Sequence, residues 1–78
     1  MIAPGTLCRL HNPISVGFAF YTSFDDEPEL LDNDKHLFLI VMVPIRHAGR
    51  NEHFAWGLLN DGRFGFVNYK WLIEVRDG

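Results

Sequence analysis

Four histidines, one cysteine and a run of carboxylates are the side chains of this 78-residue chain that could do chemistry. A metal site is the first possibility. His47 and His53 flank Gly49, and Glu52 adds an oxygen ligand beside them. A catalytic zinc needs three protein ligands and an open position, and the spacing His47-x₅-His53 matches no recognised ligand motif. Adjacent Glu52 and His53 in an extended chain would also point to opposite faces. No metal is expected, and these are read as loop histidines on a solvated turn. His11 and His36 border strands and carry less signal still. Cys8 could act as a nucleophile with a histidine as base, but no arrangement in the sequence supplies the third, orienting group. It sits within an apolar strand pattern, where a small buried thiol is the common case. Asp32-Asn33-Asp34 looks like the start of a calcium loop, yet the glycine after the third ligand and the closing glutamate are missing. Gly62 and Gly65 belong to a hairpin, so they make no phosphate cradle between a strand and a helix. The expectation is a protein that is not an enzyme and that uses no cofactor.

Aromatic residues interleaved with cations are the second chemical signal. Phe64 and Phe66 with Arg63, together with Trp56 and Tyr69, could form a stacking platform for single-stranded nucleic acid. Arg46 and Arg50 add positive charge nearby, and these seven residues are the candidate binding set. Phe64 and Phe66 share one face by period two, however, and one aromatic face is what a core requires. The core is the expected destination of that pair. A formal net charge of -3 also argues against a general nucleic-acid binder, whose affinity comes from neutralising phosphates.

Those residues need a scaffold, and the size of the chain restricts it to one domain spanning residues 1–78. Seven Phe, two Trp and two Tyr compensate for the short length, since each aromatic buries about 150–250 Å². A single cysteine excludes an internal disulfide and fits a reducing compartment, so a cytoplasmic location is expected. Met1-Ile2-Ala3-Pro4-Gly5 shows no basic start followed by an apolar run, which predicts no signal peptide. The longest apolar run, Leu37 to Ile45, is too short to span a bilayer, and no membrane association is expected. Charge is uneven: Asp25, Asp26, Glu27, Glu29, Asp32 and Asp34 precede Arg46, Arg50 and Arg63, which predicts a bipolar molecule.

The order of elements is that of an all-β protein. Thr6 to Leu10 alternates as a first strand after the turn pair Pro4-Gly5, and His11-Asn12-Pro13 ends it. Ile14, Val16, Phe18 and Phe20 recur at period two, as in a half-buried strand or the extended arm of a long loop. Asp25 or Asp26 could cap one helical turn with Pro28 early in it and Leu30-Leu31 docked on the body of the protein. Leu37 to Val43 is a strand that does not alternate. After a polar loop from Ile45 to Glu52 comes the strongest local signal. Asn60-Asp61-Gly62-Arg63 separates two β-prone runs, and an Asp-Gly pair supplies the positive φ of a tight hairpin. Asn68-Tyr69-Lys70-Trp71 reads as a short turn, with Trp71 as a lid, before a last strand Leu72-Ile73-Glu74-Val75.

Pro4-Gly5-Thr6-Leu7 with Arg9-Leu10 is similar to the opening strand of SH3-like small barrels of short bacterial and phage proteins. Asn60-Asp61-Gly62-Arg63-Phe64-Gly65-Phe66-Val67 followed by Trp71-Leu72 resembles their exit, a Gly-aromatic-Val strand, a 3-10 turn and a short closing strand. The resemblance implies a five-stranded barrel with a long first loop and a 3-10 turn before the last strand. It also implies a small interaction module of phage or mobile-element origin, in host cytoplasm or virion, acting on an unidentified protein partner. The groove of peptide-binding SH3 domains is not matched: Leu7-Cys8-Arg9-Leu10 replaces their aromatic segment and Trp56 precedes Gly57, so proline-rich recognition is not implied.

The strand from Leu37 to Val43 carries one more expectation. Its seven apolar residues place Leu37, Leu39, Val41 and Val43 on one face and Phe38, Ile40 and Met42 on the other. Only one face can line so small a barrel, and the other must be covered by the arm Ile14–Phe24 or by a second subunit. Self-association as a homo-oligomer through Phe38, Leu39, Ile40 and Met42 is therefore expected.

Overall fold

The computed structural model describes residues 2–46 and 53–75, with backbone alone for 43–46. Seven strands follow one another: β1 (Leu7–Leu10), β2 (Gly17–Tyr21), β3 (Glu29–Asp32), β4 (Leu37–Arg46), β5 (His53–Leu59), β6 (Phe64–Asn68) and β7 (Leu72–Glu74). One 3-10 turn, Tyr69–Trp71, lies between β6 and β7, where the sequence predicts it. Asn68 caps that turn by accepting a hydrogen bond from Lys70 N. All strands join one antiparallel sheet in the order β3-β2-β6-β5-β4-β1-β7.

Alternation builds the core. Cys8 and Leu10 of β1, Phe18 and Phe20 of β2, Leu31 of β3, Phe38 and Ile40 of β4, Ala55 and Leu59 of β5, Val67 of β6 and Leu72 of β7 form one buried cluster. Every strand thus contributes to a single interior, as a two-residue side-chain period requires when one face of a sheet is buried. Gly57 and Gly65 face each other across β5 and β6. A Cβ at Gly57 would lie 2.8 Å from the ring of Phe38, and one at Gly65 would lie 2.8 Å from Cε1 of the Phe20 ring and closer still to its Cζ. The two glycines make room for the rings of Phe38 and Phe20 to lie against the backbone.

The hairpin between β5 and β6 is present, with Gly62 at φ 94°. Gly62 N donates to Leu59 O at 3.0 Å and Leu59 N to Arg63 O at 2.9 Å. Asp61 keeps a negative φ, since Asp34 is the one non-glycine residue with positive φ among the described residues. That bonding pattern is the three-residue loop closed by a glycine bulge rather than the two-residue turn with two positive φ values.

Two expectations are corrected. The acidic segment forms no helical turn: Glu29–Asp32 is strand β3, paired with β2 from Gly17↔Asp32 to Phe20↔Glu29. Pairing with β2 satisfies the backbone groups and buries Leu31, which one isolated turn would not achieve. The arm is divided, because Phe18 and Phe20 enter the core whereas Ile14 and Val16 stand in solvent. The long first connection supplies two further strands, β2 and β3, and the sheet is open with seven strands.

Candidate functional site

β4 is apolar on both faces, and the structure separates them. Phe38 and Ile40 are enclosed in the core, while Leu37, Leu39, Val41 and Met42 are exposed. Phe38 and Ile40, expected among the self-association residues, are thereby removed from any docking surface; Leu39 and Met42 remain. Register shifts between Ile40 and Met42 and between Met42 and Ile45 mark an irregularity that lets two near neighbours, Val41 and Met42, both reach solvent.

Cross-strand register then assembles the outer face. Leu7 pairs with Leu39, Leu39 with Leu58, and Leu58 with Phe64. Opposed residues of antiparallel strands share a face, so an apolar row without an ionisable side chain crosses β1, β4, β5 and β6. Leu39 is 39% exposed and Phe64 is 51% exposed. The next row runs Met42–Trp56–Phe66–Tyr21. Trp56 stacks on Phe64 with ring centroids 5.3 Å apart. Farther along, Phe24 folds back over this face, 4.9 Å from the ring of Phe54 and 4.6 Å from that of Phe66. Phe54 is buried there outside the main core, with Tyr21 edge-on at 5.7 Å. The arm thus covers the Phe54–Phe66 end of the outer face and leaves the Leu7–Phe64 row open.

The expected core placement of Phe64 and Phe66 is overturned. The inward positions of β6 are Gly65 and Val67, because the ring of Phe20 occupies the space that a side chain at residue 65 would need. Phe64 and Phe66 consequently face outward. The stacking platform loses its cation for the same reason. Arg63 sits 5.4 Å over the ring of Phe20, donates from Nε to Asp61 at 2.9 Å and from Nη1 to Glu29 at 2.9 Å. Hydrogen bonds to Asp61 and then Glu29 push its pKa up further. That contact also brings the acidic segment onto a cation and undoes part of the expected charge separation. Tyr69 is committed as well: its hydroxyl accepts from Ile2 N at 2.8 Å and donates to Ile2 O at 3.2 Å. The backbone of Arg46 pairs with His53, and Arg50, His47 and Glu52 lie outside the described residues. Of the seven candidate binding residues, Trp56, Phe64 and Phe66 come together.

A polar cluster that the sequence did not suggest ties β1 to the β3–β4 turn. Asp34, at φ 62°, accepts from Arg9 on one carboxylate oxygen and from His11 Nδ1 at 2.8 Å on the other. The His11 bond, then the Arg9 bond, holds the Asp34 carboxyl below the usual carboxylate range. An ionised carboxylate only accepts, so His11 Nδ1 carries the proton. Buried Asn12 and neighbouring Asn33 form a reciprocal pair: Asn12 N donates to Asn33 Oδ1 at 2.8 Å, and Asn33 Nδ2 donates to Asn12 O at 2.9 Å and Ser15 O at 2.8 Å. Asp34 N completes the junction by donating to Leu10 O at 3.0 Å. The Asp32-Asn33-Asp34 run is therefore spent on structure, and its only sequence signal was the turn preference of Asn and Asp.

Cys8 is fully buried, and burial, reinforced by Glu74, pushes its thiol pKa up to about 11. The thiolate that nucleophilic chemistry needs is suppressed there. No group of three or more potential ligands is placed to hold a metal ion among the described residues, and none of their helices is long and apolar enough to cross a membrane. No protein family, no curated protein and no solved structure matches this chain.

Proposed function

We propose that this chain is a non-enzymatic protein-interaction module built on an SH3-like small barrel, which docks through the open outer face of β1, β4, β5 and β6. The observation that carries the reading is the Leu7–Leu39–Leu58–Phe64 row. The largest contiguous apolar patch on a protein surface is often its functional contact. The stacked Trp56–Phe64 pair adds the aromatic type enriched among residues that dominate binding energy. The SH3-like assignment is supported by β7 returning beside β1, by the arm between β1 and β4, and by the 3-10 turn before the last strand. A phage or mobile-element origin follows from the resemblance alone and is part of the same proposal.

Nucleic-acid binding through the same aromatics is the alternative, and the engagement of Arg63 by Asp61 and Glu29 weighs against it. One pair of titrations tests both. A displayed peptide library is selected against the wild type and against Leu39→Asp, and labelled single-stranded oligonucleotides are titrated at low and high salt. Peptides retained by the wild type and lost by Leu39→Asp are the expected result. Oligonucleotide binding that falls steeply with salt, without peptide selection, refutes the proposal.

A further inference from the structure

We infer that Asp61-Gly62 is a site of spontaneous backbone isomerisation to isoaspartate, and that Arg63, anchored on β3, holds the folded chain back from it. An Asp-Gly pair carries this chemistry because glycine has no side chain to hinder attack by its amide nitrogen on the preceding carboxyl. The position is open here: nothing lies within 4 Å of a Cβ placed at Gly62, and Asp61 is exposed. In the reaction the Gly62 nitrogen bonds to Cγ of Asp61 and loses its proton, while the protonated carboxyl loses its hydroxyl, and the two depart as water. Water then opens the five-membered succinimide. Opening at the main-chain carbonyl leaves the chain linked through Cγ, which is isoaspartate; opening at Cγ restores aspartate. One water leaves and one returns, so composition is unchanged and no oxidant or cofactor takes part.

Both reacting groups are held in the folded turn. Gly62 N donates to Leu59 O at 3.0 Å, which ties down the nucleophile. The Asp61 carboxylate accepts from Arg63 N at 3.1 Å and from Arg63 Nε at 2.9 Å, with Nη2 at 2.8 Å. An ionised carboxylate has no hydroxyl to lose, and these bonds, the side-chain ones first, keep the Asp61 carboxyl below the usual carboxylate range. Arg63 is itself fixed by Glu29 of β3, 34 residues earlier, through Nη1 at 2.9 Å, and by the Phe20 ring beneath its guanidinium. The reactive pair is local, whereas the restraint on it comes from β2 and β3. Isomerisation would add one backbone carbon to the turn between Leu58 and Phe64, which oppose each other in the β5–β6 ladder, and would thereby disturb the register that the turn sets.

The test is prolonged incubation of the whole chain in neutral buffer, folded and, in parallel, unfolded in guanidinium chloride. Isoaspartate at residue 61 is read by electron-transfer fragmentation in a mass spectrometer. The folded wild type should form it at least about fivefold more slowly than the unfolded chain, the factor that one amide hydrogen bond supplies by itself. Arg63→Gln, folded by circular dichroism, should form it several-fold faster than the folded wild type, and Glu29→Gln should fall between the two. Arg9→Gln, which removes a surface arginine elsewhere, should keep the wild-type rate. If Arg63→Gln fails to fold, Glu29→Gln takes its place. A folded wild type that isomerises as fast as the unfolded chain overturns the inference, as does an unfolded chain that forms no isoaspartate at residue 61. Folded Arg63→Gln or Glu29→Gln protein that ages no faster than the wild type removes the role given to Arg63 and its anchor, and the inference falls with it.

Discussion

Gly65→Ala is a substitution that this fold should tolerate poorly for its size. The added Cβ would lie 2.5 Å from the carbonyl oxygen of Tyr21, 2.8 Å from Cε1 of the Phe20 ring and closer still to its Cζ. Neither neighbour can withdraw easily. Tyr21 is paired with Phe66 in the β2–β6 ladder, and Phe20 is fully enclosed. Overpacking of a tight core costs about 1–3 kcal/mol, and a displaced ladder hydrogen bond adds about 1 kcal/mol, so the expected loss is about 3 kcal/mol. A domain of this length has roughly 4–12 kcal/mol in total, and each kcal/mol shifts Tm by about 4–8 °C. Thermal unfolding by circular dichroism should show Tm lower by roughly 12–24 °C. Gly62→Ala provides the contrast. Nothing lies within 4 Å of a Cβ there, but φ is 94°, so backbone strain alone applies at about 1–2 kcal/mol. Equal losses for the two variants, or a Gly65→Ala protein within a few degrees of wild type, would refute the view that Gly65 exists to admit the Phe20 ring.

Asn33→Ala removes three side-chain hydrogen bonds and leaves buried Asn12 short of partners; a loss of about 2–3 kcal/mol in chemical denaturation is expected, and a loss below about 0.5 kcal/mol would assign the Asn pair no structural weight. Asp34 has its pKa held below the ordinary carboxylate value of 3.8, so its contribution to stability is full above that value and is lost as pH falls through the lower folded value. Asp34→Asn, which keeps the shape and tolerates positive φ, should flatten the acid limb of stability against pH; an unchanged limb would place the acid sensitivity elsewhere. Cys8, fully buried with a thiol pKa raised to about 11, should react with a thiol reagent near neutral pH only when the chain unfolds; rapid labelling of the native protein would contradict its placement.

Local chemistry was legible in the sequence. The Asp61-Gly62 hairpin, the 3-10 turn after Asn68 and the β class of the flanking runs each depend on a few adjacent residues, and all are present. Period two correctly put Phe64 with Phe66, and Leu37 with Leu39 and Val41, on common faces. Which of those faces turned inward was not a local property. It was decided by the rings of Phe20 and Phe38 lying over Gly65 and Gly57, contacts that span distant strands. The same holds for β3, where Glu29–Asp32 is extended because β2 offers it a ladder, and for the Arg9–His11–Asp34 junction, whose partners lie 23 to 25 residues apart. Sequence determines the period of each strand and the geometry of each turn. Only tertiary packing decides which side of a period-two pattern meets the core, because that choice depends on whose ring already fills the space.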